Sequence, residues 1–226
     1  FYIINVMKAV ELINNDVPPI RPNETLKKAT LWMEEFKVNH LPVVKNGIFI
    51  GILSEEMVMD YNNSNGTIEN ILFTGKQQFV NKDAHLYRVM YMLTNYKLSI
   101  IPVCDENKKY LGAISATHLV KVLSRHAGFN QPGAIIVLHM NYLDFQMSQI
   151  AQIVESNNTK ILGFYSETFE DNNQIRVTLK LNQSKIGPTL QTFSRYDYNV
   201  YEVYVDDEVE NEFKERYDHL MNYLKL

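Results

Sequence analysis

Two serines, Ser54 and Ser115, stand where a side chain and the backbone could bind an anion together. Gly51 or Gly112 lies three residues before each serine, and each serine is predicted to begin a helix. The first amides of a helix have no partner within the helix and carry a partial positive charge, so they bind phosphate groups. The alternative is that each hydroxyl only caps its helix.

Residues for metal binding or nucleophilic catalysis do not form a recognisable motif. No histidine has metal-ligand spacing or lies near a cysteine pair; the six are His40, His85, His118, His126, His139 and His219. Gly128 and Gly133 have the interval of a P-loop, but Ala134 follows instead of Lys. Cys104, on a predicted buried strand, is expected to serve packing. A non-enzymatic function is therefore favoured, with a cryptic enzyme as the minor alternative.

The composition is that of an ordinary globular protein. The 226 residues are 46% hydrophobic and 21% charged, which excludes collagen-like and disordered classes. A net charge of -4 gives no basic field for nucleic acid. No apolar run approaches the roughly 20 residues of a spanning helix, and the opening residues contain no signal-peptide core. The single cysteine indicates a reducing compartment, so we expect a cytoplasmic protein with no membrane partner.

The first half of the chain contains an internal repeat at an offset of 60 positions. Ile20 corresponds to Val80, and Leu-Pro-Val at 41–43 corresponds to Ile-Pro-Val at 101–103. After one extra residue in the second copy, the two serines at the predicted helix starts also correspond to each other. The chemistry at those serines therefore occurs twice, in two copies of one structural unit.

Each copy predicts the order β-α-β-β-α. A strand ends near Ile20 or Val80, a helix follows, and two strands joined by a turn lead to a final helix. The apolar positions of the first helix are Leu26, Ala29, Met33 and Phe36 in copy one and Leu86, Val89, Leu93 and Tyr96 in copy two. The segments 5–13 and 67–72 are expected to be leading helices before each copy.

The pattern of hydrophobic-Pro-Val, a turn, and Gly-hydrophobic-hydrophobic-Ser resembles the cystathionine-beta-synthase (CBS) domain, and two copies in tandem resemble a Bateman module. The resemblance covers residues 1–126, with repeats at about 1–60 and 66–126. In that family the copies pack by their sheets, and the clefts between them commonly hold adenine nucleotides or related adenosyl ligands. The resemblance implies a sensor rather than a catalyst, with an adenine nucleotide or S-adenosylmethionine as the expected ligand.

The resemblance also indicates which residues line the cleft. They are Ile20, His40, Ser54, Met57, Val80, Ile100, Ser115 and His118, with Asn39 and Ser99 beside them. Nucleotide-binding members carry an Asp three residues after the serine, where this chain has Met57 and His118. Without those carboxylates the ribose loses charge-assisted hydrogen bonds, so we expect weak binding. His118 could bond a ribose or phosphate or face solvent, whereas Met57 fits core packing better.

The second half predicts a ferredoxin-like β-α-β-β-α-β domain at 134–205, after a Gly- and Pro-containing linker at 127–133. Alternating apolar and polar residues at 174–181 indicate a half-buried strand. This half resembles an ACT domain, and CBS-pair proteins with an appended ACT domain include regulators of the acetoin-utilisation type. Since ACT domains generally bind amino acids or other small effectors, the resemblance implies a second effector here.

Two details of this half bear on what it binds. The first β-to-α turn, 141–144, contains no Gly, and Asp144 is expected to cap the next helix rather than contact an effector. RNA-recognition domains share this topology, but the predicted strand 174–181 lacks their exposed aromatic residues. RNA binding is therefore a minor alternative.

Residues 206–226 predict a C-terminal amphipathic helix. Acidic residues come first and basic residues gather later, as a helix dipole favours. The apolar stripe consists of Val209, Phe213, Tyr217, Leu220, Met221 and Leu224. The stripe could dock on its own domain or on a second subunit, and we expect a homodimer.

Taken together, the sequence predicts an α/β (α+β) protein in which a tandem CBS pair precedes an ACT-like domain and a C-terminal helix. The predicted function is a small-molecule-sensing regulator that acts on an unknown protein target in trans. The alternative is a structural or dimerising module with no ligand. A signal between the halves is expected to pass through 121–133, with a hinge at 127–132.

Overall fold

The computed structural model describes residues 7–61, 66–71, 78–126, 128, 131–169 and 173–205. The chain divides into two compact units, Phe1–Leu123 and Ser124–Leu226. The predicted C-terminal helix, 206–226, lies outside the described residues, as does part of the predicted linker. Among the described residues, no helix combines the length and apolar composition needed to cross a membrane.

Copy one of the repeat consists of α1 (Leu26–Phe36), β1 (His40–Lys45), β2 (Ile48–Ser54) and α2 (Glu55–Asp60). The Thr25 hydroxyl accepts a hydrogen bond from the Lys28 amide at 3.2 Å and so begins α1. Strands β1 and β2 pair antiparallel, and Ile20 adds a parallel bridge to Val43. These elements give the β-α-β-β-α order that the sequence predicts.

Copy two consists of β3 (Val80–Asn81), α3 (Leu86–Asn95), β4 (Ile100–Cys104), β5 (Tyr110–Ser115) and α4 (Ala116–His126). Strand β3 runs parallel to β4, and β4 pairs antiparallel with β5. The pairing register shifts between Val43 and Val44 in copy one and between Val103 and Cys104 in copy two. This shared irregularity confirms the repeat. Tyr96 departs from the predicted apolar face, because it follows α3 and is 40% exposed.

The segment before each copy, which we call its leader (7–16 for copy one and 66–71 for copy two), packs against the other copy. Around the first leader, the Leu86 amide donates to the Met7 carbonyl and the Ala9 amide to the Ala84 carbonyl. Around the second, the Leu26 amide donates to the Gly66 carbonyl and the Ile68 amide to the Glu24 carbonyl. The described part of each leader contains a 3-10 turn, Ala9–Leu12 or Ile68–Asn70, where the sequence suggested a longer helix.

The hydrophobic cores show the same exchange. Ile68, which precedes copy two, is buried with Leu26, Met33 and the other core residues of copy one. Leu12, which precedes copy one, is buried with Val89 and the other core residues of copy two. Neither core is complete without a residue from the other copy's leader.

Gly112 permits the first leader to approach strand β5 closely. Its φ is +155°, and a Cβ at this position would lie 2.4 Å from Ile13 Cγ2. The Asn14 amide donates to the Ala113 carbonyl at 3.1 Å, next to this contact. The absence of a side chain at Gly112 therefore lets the leader pair with copy two.

The second unit is a four-stranded antiparallel sheet with two helices. Its elements are β6 (Ile135–Asn141), α5 (Met147–Ser156), β7 (Ile161–Phe169), β8 (Gln174–Leu181), α6 (Gly187–Arg195) and β9 (Asn199–Tyr204). The strand order β7-β8-β6-β9 is that of a ferredoxin-like fold, as the sequence predicts.

Both helices of this unit cover one face of the sheet. Ile150 of α5 and Phe193 of α6 are buried with alternate residues of β8, including Val177. On the opposite face, the Arg176 guanidinium lies over the rings of Phe169 and Tyr201, at 5.0 and 5.6 Å. The aromatic residues of this face therefore come from β7 and β9, the strands at the two edges of the sheet.

The prediction that Asp144 caps α5 is wrong. Asp144 ends a separate 3-10 turn, Tyr142–Asp144, and Gln146 precedes α5 without a side-chain capping bond. The Asp144 carboxylate instead accepts a hydrogen bond from Asn141 Nδ2 at 3.1 Å. The extra turn moves the start of the helix beyond the reach of Asp144.

Because the leaders are exchanged, we expect a core substitution in one leader to destabilise both copies. Leu12→Ala should cost roughly 2–5 kcal/mol and lower the urea midpoint reported by Trp32, the single tryptophan, which packs on the core of copy one. The matched control is Leu31→Ala on α1, where the side chain is 54% exposed and the midpoint should not change. An unchanged Trp32 transition in Leu12→Ala would show that the two cores unfold independently.

Candidate functional site

Both predicted serines cap the helices that follow them. Ser54 Oγ accepts a hydrogen bond from the Met57 amide at 3.2 Å, and Ser115 Oγ accepts one from the His118 amide at 3.2 Å. Ser115 is only 4% exposed, whereas Ser54 is partly exposed. The capping role is thus established at both positions, and a phosphate-binding role stays a prediction.

The first leader joins Ser115 through a hydrogen-bonded set that we call the Asn14 group: Asn14, Asp16, Ser115 and Thr117. Asn14 Oδ1 accepts from the Ser115 amide at 3.1 Å, and Asn14 Nδ2 lies 3.3 Å from Ser115 Oγ. Asn14 Nδ2 also donates to Asp16 Oδ2 at 2.6 Å. Thr117 Oγ1 lies 3.2 Å from Ser115 Oγ. An exposed carboxylate of one leader is thereby held near the start of α4.

A second polar contact joins the two copies at the start of β1. Ser99 Oγ accepts from the Asn39 amide at 3.0 Å and lies 3.1 Å from His40 Nδ1. The Ser99 amide donates to His40 Nδ1 at 3.2 Å. Since a backbone amide can only donate, Nδ1 acts as an acceptor, and the imidazole is neutral with its proton on Nε2.

Glu55 places a carboxylate beside this contact. Asn39 Nδ2 donates to Glu55 Oε2 at 2.7 Å, and the Glu55 amide donates to the Asn39 carbonyl at 2.9 Å. Burial lowers the pKa of His40, and the negative charge of Glu55 opposes that effect without reversing it. The inter-copy contact therefore favours the uncharged histidine.

The remaining predicted site residues differ in burial and in whether their polar groups are already hydrogen-bonded. Ile20, Val80 and Ile100 are buried in the cores, so their side chains are engaged in packing. The Ile20 amide and carbonyl are also used, because they bond the Pro42 carbonyl at 2.8 Å and the Val44 amide at 2.9 Å. His118 is partly buried. Ligand contact at these positions stays a prediction.

The preference for core packing at Met57 is wrong. Its side chain is 37% exposed, and α2 contains no buried residue. Helix α2 is only six residues long and packs on copy one through the partly buried Val58, which leaves Met57 exposed. An exposed thioether at the helix start cannot replace a ribose-binding carboxylate.

Cys104 behaves as a packing residue, in agreement with the sequence. It is fully buried with Phe49 and Ile52. Burial, helped by the nearby charge of Asp105, raises the pKa of its thiol to about 12. The thiol is therefore protonated at neutral pH and is a poor nucleophile.

The second unit has a cavity of about 340 Å³ at its first β-to-α turn, bounded by 139–141, Asp144, Gln149 and 196–199. Tyr198 Oη donates to Gln149 Oε1 at 2.7 Å. Burial, helped by the charge of Asp144, raises the pKa of Tyr198. Within the described part of the chain, no group of three or more His, Cys, Asp or Glu residues could hold a metal ion.

Sequence reasoning missed Asn14, Asp16, Thr117 and Glu55. Glu55 directly follows Ser54, so its position could have been noticed. Asn14 and Ser115 are 101 residues apart, and the polar run at 14–16 gives only a weak signal on its own. Asp16 and Glu55 are also not at corresponding positions of the repeat, so a comparison of the two copies does not reveal them.

The family model for the CBS domain matches this chain twice, at residues 9–63 and 74–125. A homoserine O-acetyltransferase of Methanococcus vannielii is 27% identical over 135 residues, covering 54% of this chain and 27% of that protein. An uncharacterised protein of Methanocaldococcus jannaschii is 28% identical over 116 residues, covering 51% of this chain and 43% of that protein. The chain therefore spans less than half the length of either relative.

Similar solved structures cover about half of this chain. A CBS domain pair/ACT domain protein of Thermotoga maritima has 20% identity and a TM-score of 0.47, over 53% of this chain and 98% of that one. CBSX2 in complex with AMP has 18% identity and a TM-score of 0.44, over 52% and 96%. A CBS domain pair in complex with 5′-methylthioadenosine and S-adenosylmethionine has 21% identity and a TM-score of 0.43, over 53% and 98%.

The neutral state of His40 predicts a loss of stability in mild acid. Because the pKa of His40 is lowered in the folded protein, the unfolded chain binds a proton first as the pH falls below about 6.5. The stabilising contribution is thus fully present above that pH and is lost as the pH falls toward the folded pKa. Urea titrations at pH 7.5 and 5.5 should show this loss in the wild type and a smaller one in His40→Asn.

His139→Asn is the matched control for this experiment. His139 lies in the second unit, where its ring contacts those of Phe169 and Tyr201 at 6.2 and 6.0 Å, whereas Trp32 reports unfolding of the first unit. His139→Asn should keep the pH dependence of the Trp32 transition seen in the wild type. Equal pH dependence in the wild type and His40→Asn would contradict the assignment.

Proposed function

We propose, on the premise that residues 9–63 and 74–125 form a tandem pair of CBS domains, that this protein is a small-molecule-sensing regulator. Its ligand is of the adenosine type and binds in the cleft between the two copies. The protein acts on a separate protein target in trans, and the proposal assigns no catalytic residue. The single observation that carries it is that Asn14 bonds both the Asp16 carboxylate and Ser115.

Asp16 can supply the interaction that the missing Asp of copy two would have made. A carboxylate accepts charge-assisted hydrogen bonds from the two hydroxyls of a ribose. Asn14 fixes Asp16 near the start of α4 through the 2.6 Å bond to its carboxylate. The hydroxyls of Ser115 and Thr117 and the positive end of the helix dipole then suit a phosphate or another electron-rich group.

A comparable arrangement occurs at Ser54. The Glu55 carboxylate directly follows the serine, and Asn39 donates to it at 2.7 Å. Each capping serine therefore lies near an acid whose carboxylate is bonded by an asparagine. This arrangement supports ligand binding despite the substitutions at Met57 and His118.

Ligand binding would be coupled to the arrangement of the copies. Asn14 and Asp16 belong to the leader that runs into copy one, whereas Ser115 and Thr117 belong to copy two, so a ligand at the Asn14 group contacts copy two and the leader of copy one. A ligand that binds one arrangement better shifts the population toward it. That shift is the signal that the proposed protein target would detect.

Two further features belong to this proposal. A small effector of the second unit would occupy the cavity at its first β-to-α turn, near Asp144 and Tyr198. The working form is a homodimer, as the resemblance to CBS and ACT modules implies. The alternative, a structural or dimerising module with no ligand, makes the opposite prediction in the ligand experiment.

Thermal unfolding with AMP, ATP, NAD and S-adenosylmethionine tests the proposed ligand class. A ligand at ten times its Kd stabilises the folded state by about 1.4 kcal/mol, so at least one should raise Tm at millimolar concentration. Asp16→Asn should weaken the shift by removing the charge that accepts the ribose hydroxyls. The matched control Glu34→Gln, at an exposed position of α1, should shift like the wild type. No shift with any of the four would favour the ligand-free module.

Light scattering tests the proposed homodimer. At micromolar concentration the full chain should have twice the mass of one chain. A chain shortened to end at residue 205 tests whether the apolar stripe docks on its own domain or on a second subunit. If the stripe docks on a second subunit, the shortened chain should be monomeric. A monomeric mass for the full chain would refute the homodimer.

A further inference from the structure

A cavity of about 830 Å³ lies in copy one, away from the proposed ligand cleft. Its walls are the loop before α1 at 19–23, the turn between β1 and β2 at 44–47, and Glu69 of the second leader. A strand rises roughly 3.3 Å per residue, so Lys45 stands about 16 Å from His40 along β1. The cavity also shares no residue with the Asn14 group.

The charges on the cavity walls favour an anion. Arg21 and Lys45 line it, and Glu69 is the one acidic residue among the described residues of its walls. Within the part of the chain that the structure describes, no carboxylate forms an ion pair with Arg21 or Lys45. The two cations are therefore available to a ligand in the cavity.

The repeat provides an internal comparison for this site. Asn81 and Asp105 of copy two correspond to Arg21 and Lys45, so both cations are missing there. Copy two instead has an ion pair between the two walls, from Lys82 Nζ to Glu106 Oε2 at 3.3 Å.

Copy one cannot form this ion pair. The positions that correspond to Lys82 and Glu106 hold Pro22 and Asn46, which carry no charge. The same place in the fold is thus bridged by a salt bridge in copy two and is an open, cation-lined cavity in copy one.

We propose that this cavity binds a small phosphorylated molecule. Arg21 and Lys45 contact the phosphate, since Arg presents a planar set of donors to phosphate oxygens and Lys a compact charge. Glu69 accepts a hydrogen bond from a hydroxyl elsewhere on the molecule. The volume lies within the roughly 300–1,000 Å³ that is usual for small-molecule sites.

The ligand would connect the exchanged leader to copy one. Glu69 belongs to the second leader, and its amide donates to the Pro22 carbonyl at 2.8 Å. Arg21 and Lys45 belong to copy one itself. A molecule held by all three side chains therefore stabilises the docking of the second leader.

Phosphorus NMR tests this site with two probes, inorganic phosphate and ribose 5-phosphate. Binding to the wild-type protein should broaden both signals, more strongly for ribose 5-phosphate because its hydroxyls reach Glu69. Calorimetric titration of ribose 5-phosphate then gives Kd. Lys45→Asp and Arg21→Asn introduce the residues of copy two, and each should raise Kd by about tenfold or more. Glu69→Gln should remove the preference for ribose 5-phosphate over phosphate.

Lys185→Asp, an exposed site in the second unit, is the matched charge control and should bind like the wild type. Circular dichroism checks that each variant folds. If a variant does not fold, the titration of the wild-type protein alone decides whether the cavity binds ribose 5-phosphate. No broadening by the wild type, or equal Kd values in the wild type and a folded Lys45→Asp, would overturn the proposal. S-adenosylmethionine contains no phosphate, so a folded Lys45→Asp should keep the thermal shift that this ligand gives in the wild type, which separates this site from the cleft of the proposed function.

Discussion

The exchange of leaders between the two copies is the constraint on which the rest of the first unit depends. Leu12 completes the core of copy two, and Ile68 completes the core of copy one. Each core would otherwise lose buried apolar contacts and keep a cavity, which is costly in a close-packed interior. The same exchange brings Asn14 to Ser115 and Glu69 to the loop before α1. Both proposed sites are therefore consequences of one packing arrangement.

The polar groups at the contact between the copies form hydrogen bonds with each other. Ser99 bonds both Asn39 and His40 where the chain enters β1, and Asn14 bonds both the amide and the hydroxyl of Ser115. Polar groups at such an interface lose water, so each needs a partner. Specific hydrogen-bonding geometry thus fixes the orientation of two cores whose apolar contacts alone are less directional.

The second unit uses the two faces of its sheet differently. One face is buried under both helices, with Phe193 and Val177 in its core. The other carries Arg176 between the rings of Phe169 and Tyr201. Strand β8 contributes the cation, and the flanking strands contribute the rings. An assessment of this face from the central strand alone therefore misses its aromatic character.

The sequence by itself determined the elements, because helical spacing, strand alternation and Ser caps are local signals. The two β-α-β-β-α copies, the ferredoxin-like order and the burial of Cys104 follow from such signals. Only the tertiary structure decided which leader completes which core, that Met57 faces outward, and that Asp16 stands near Ser115. These outcomes depend on contacts such as Asn14 to Ser115, 101 residues apart. Local periodicity carries no information about which distant segments meet, since that choice depends on how the assembled cores are filled.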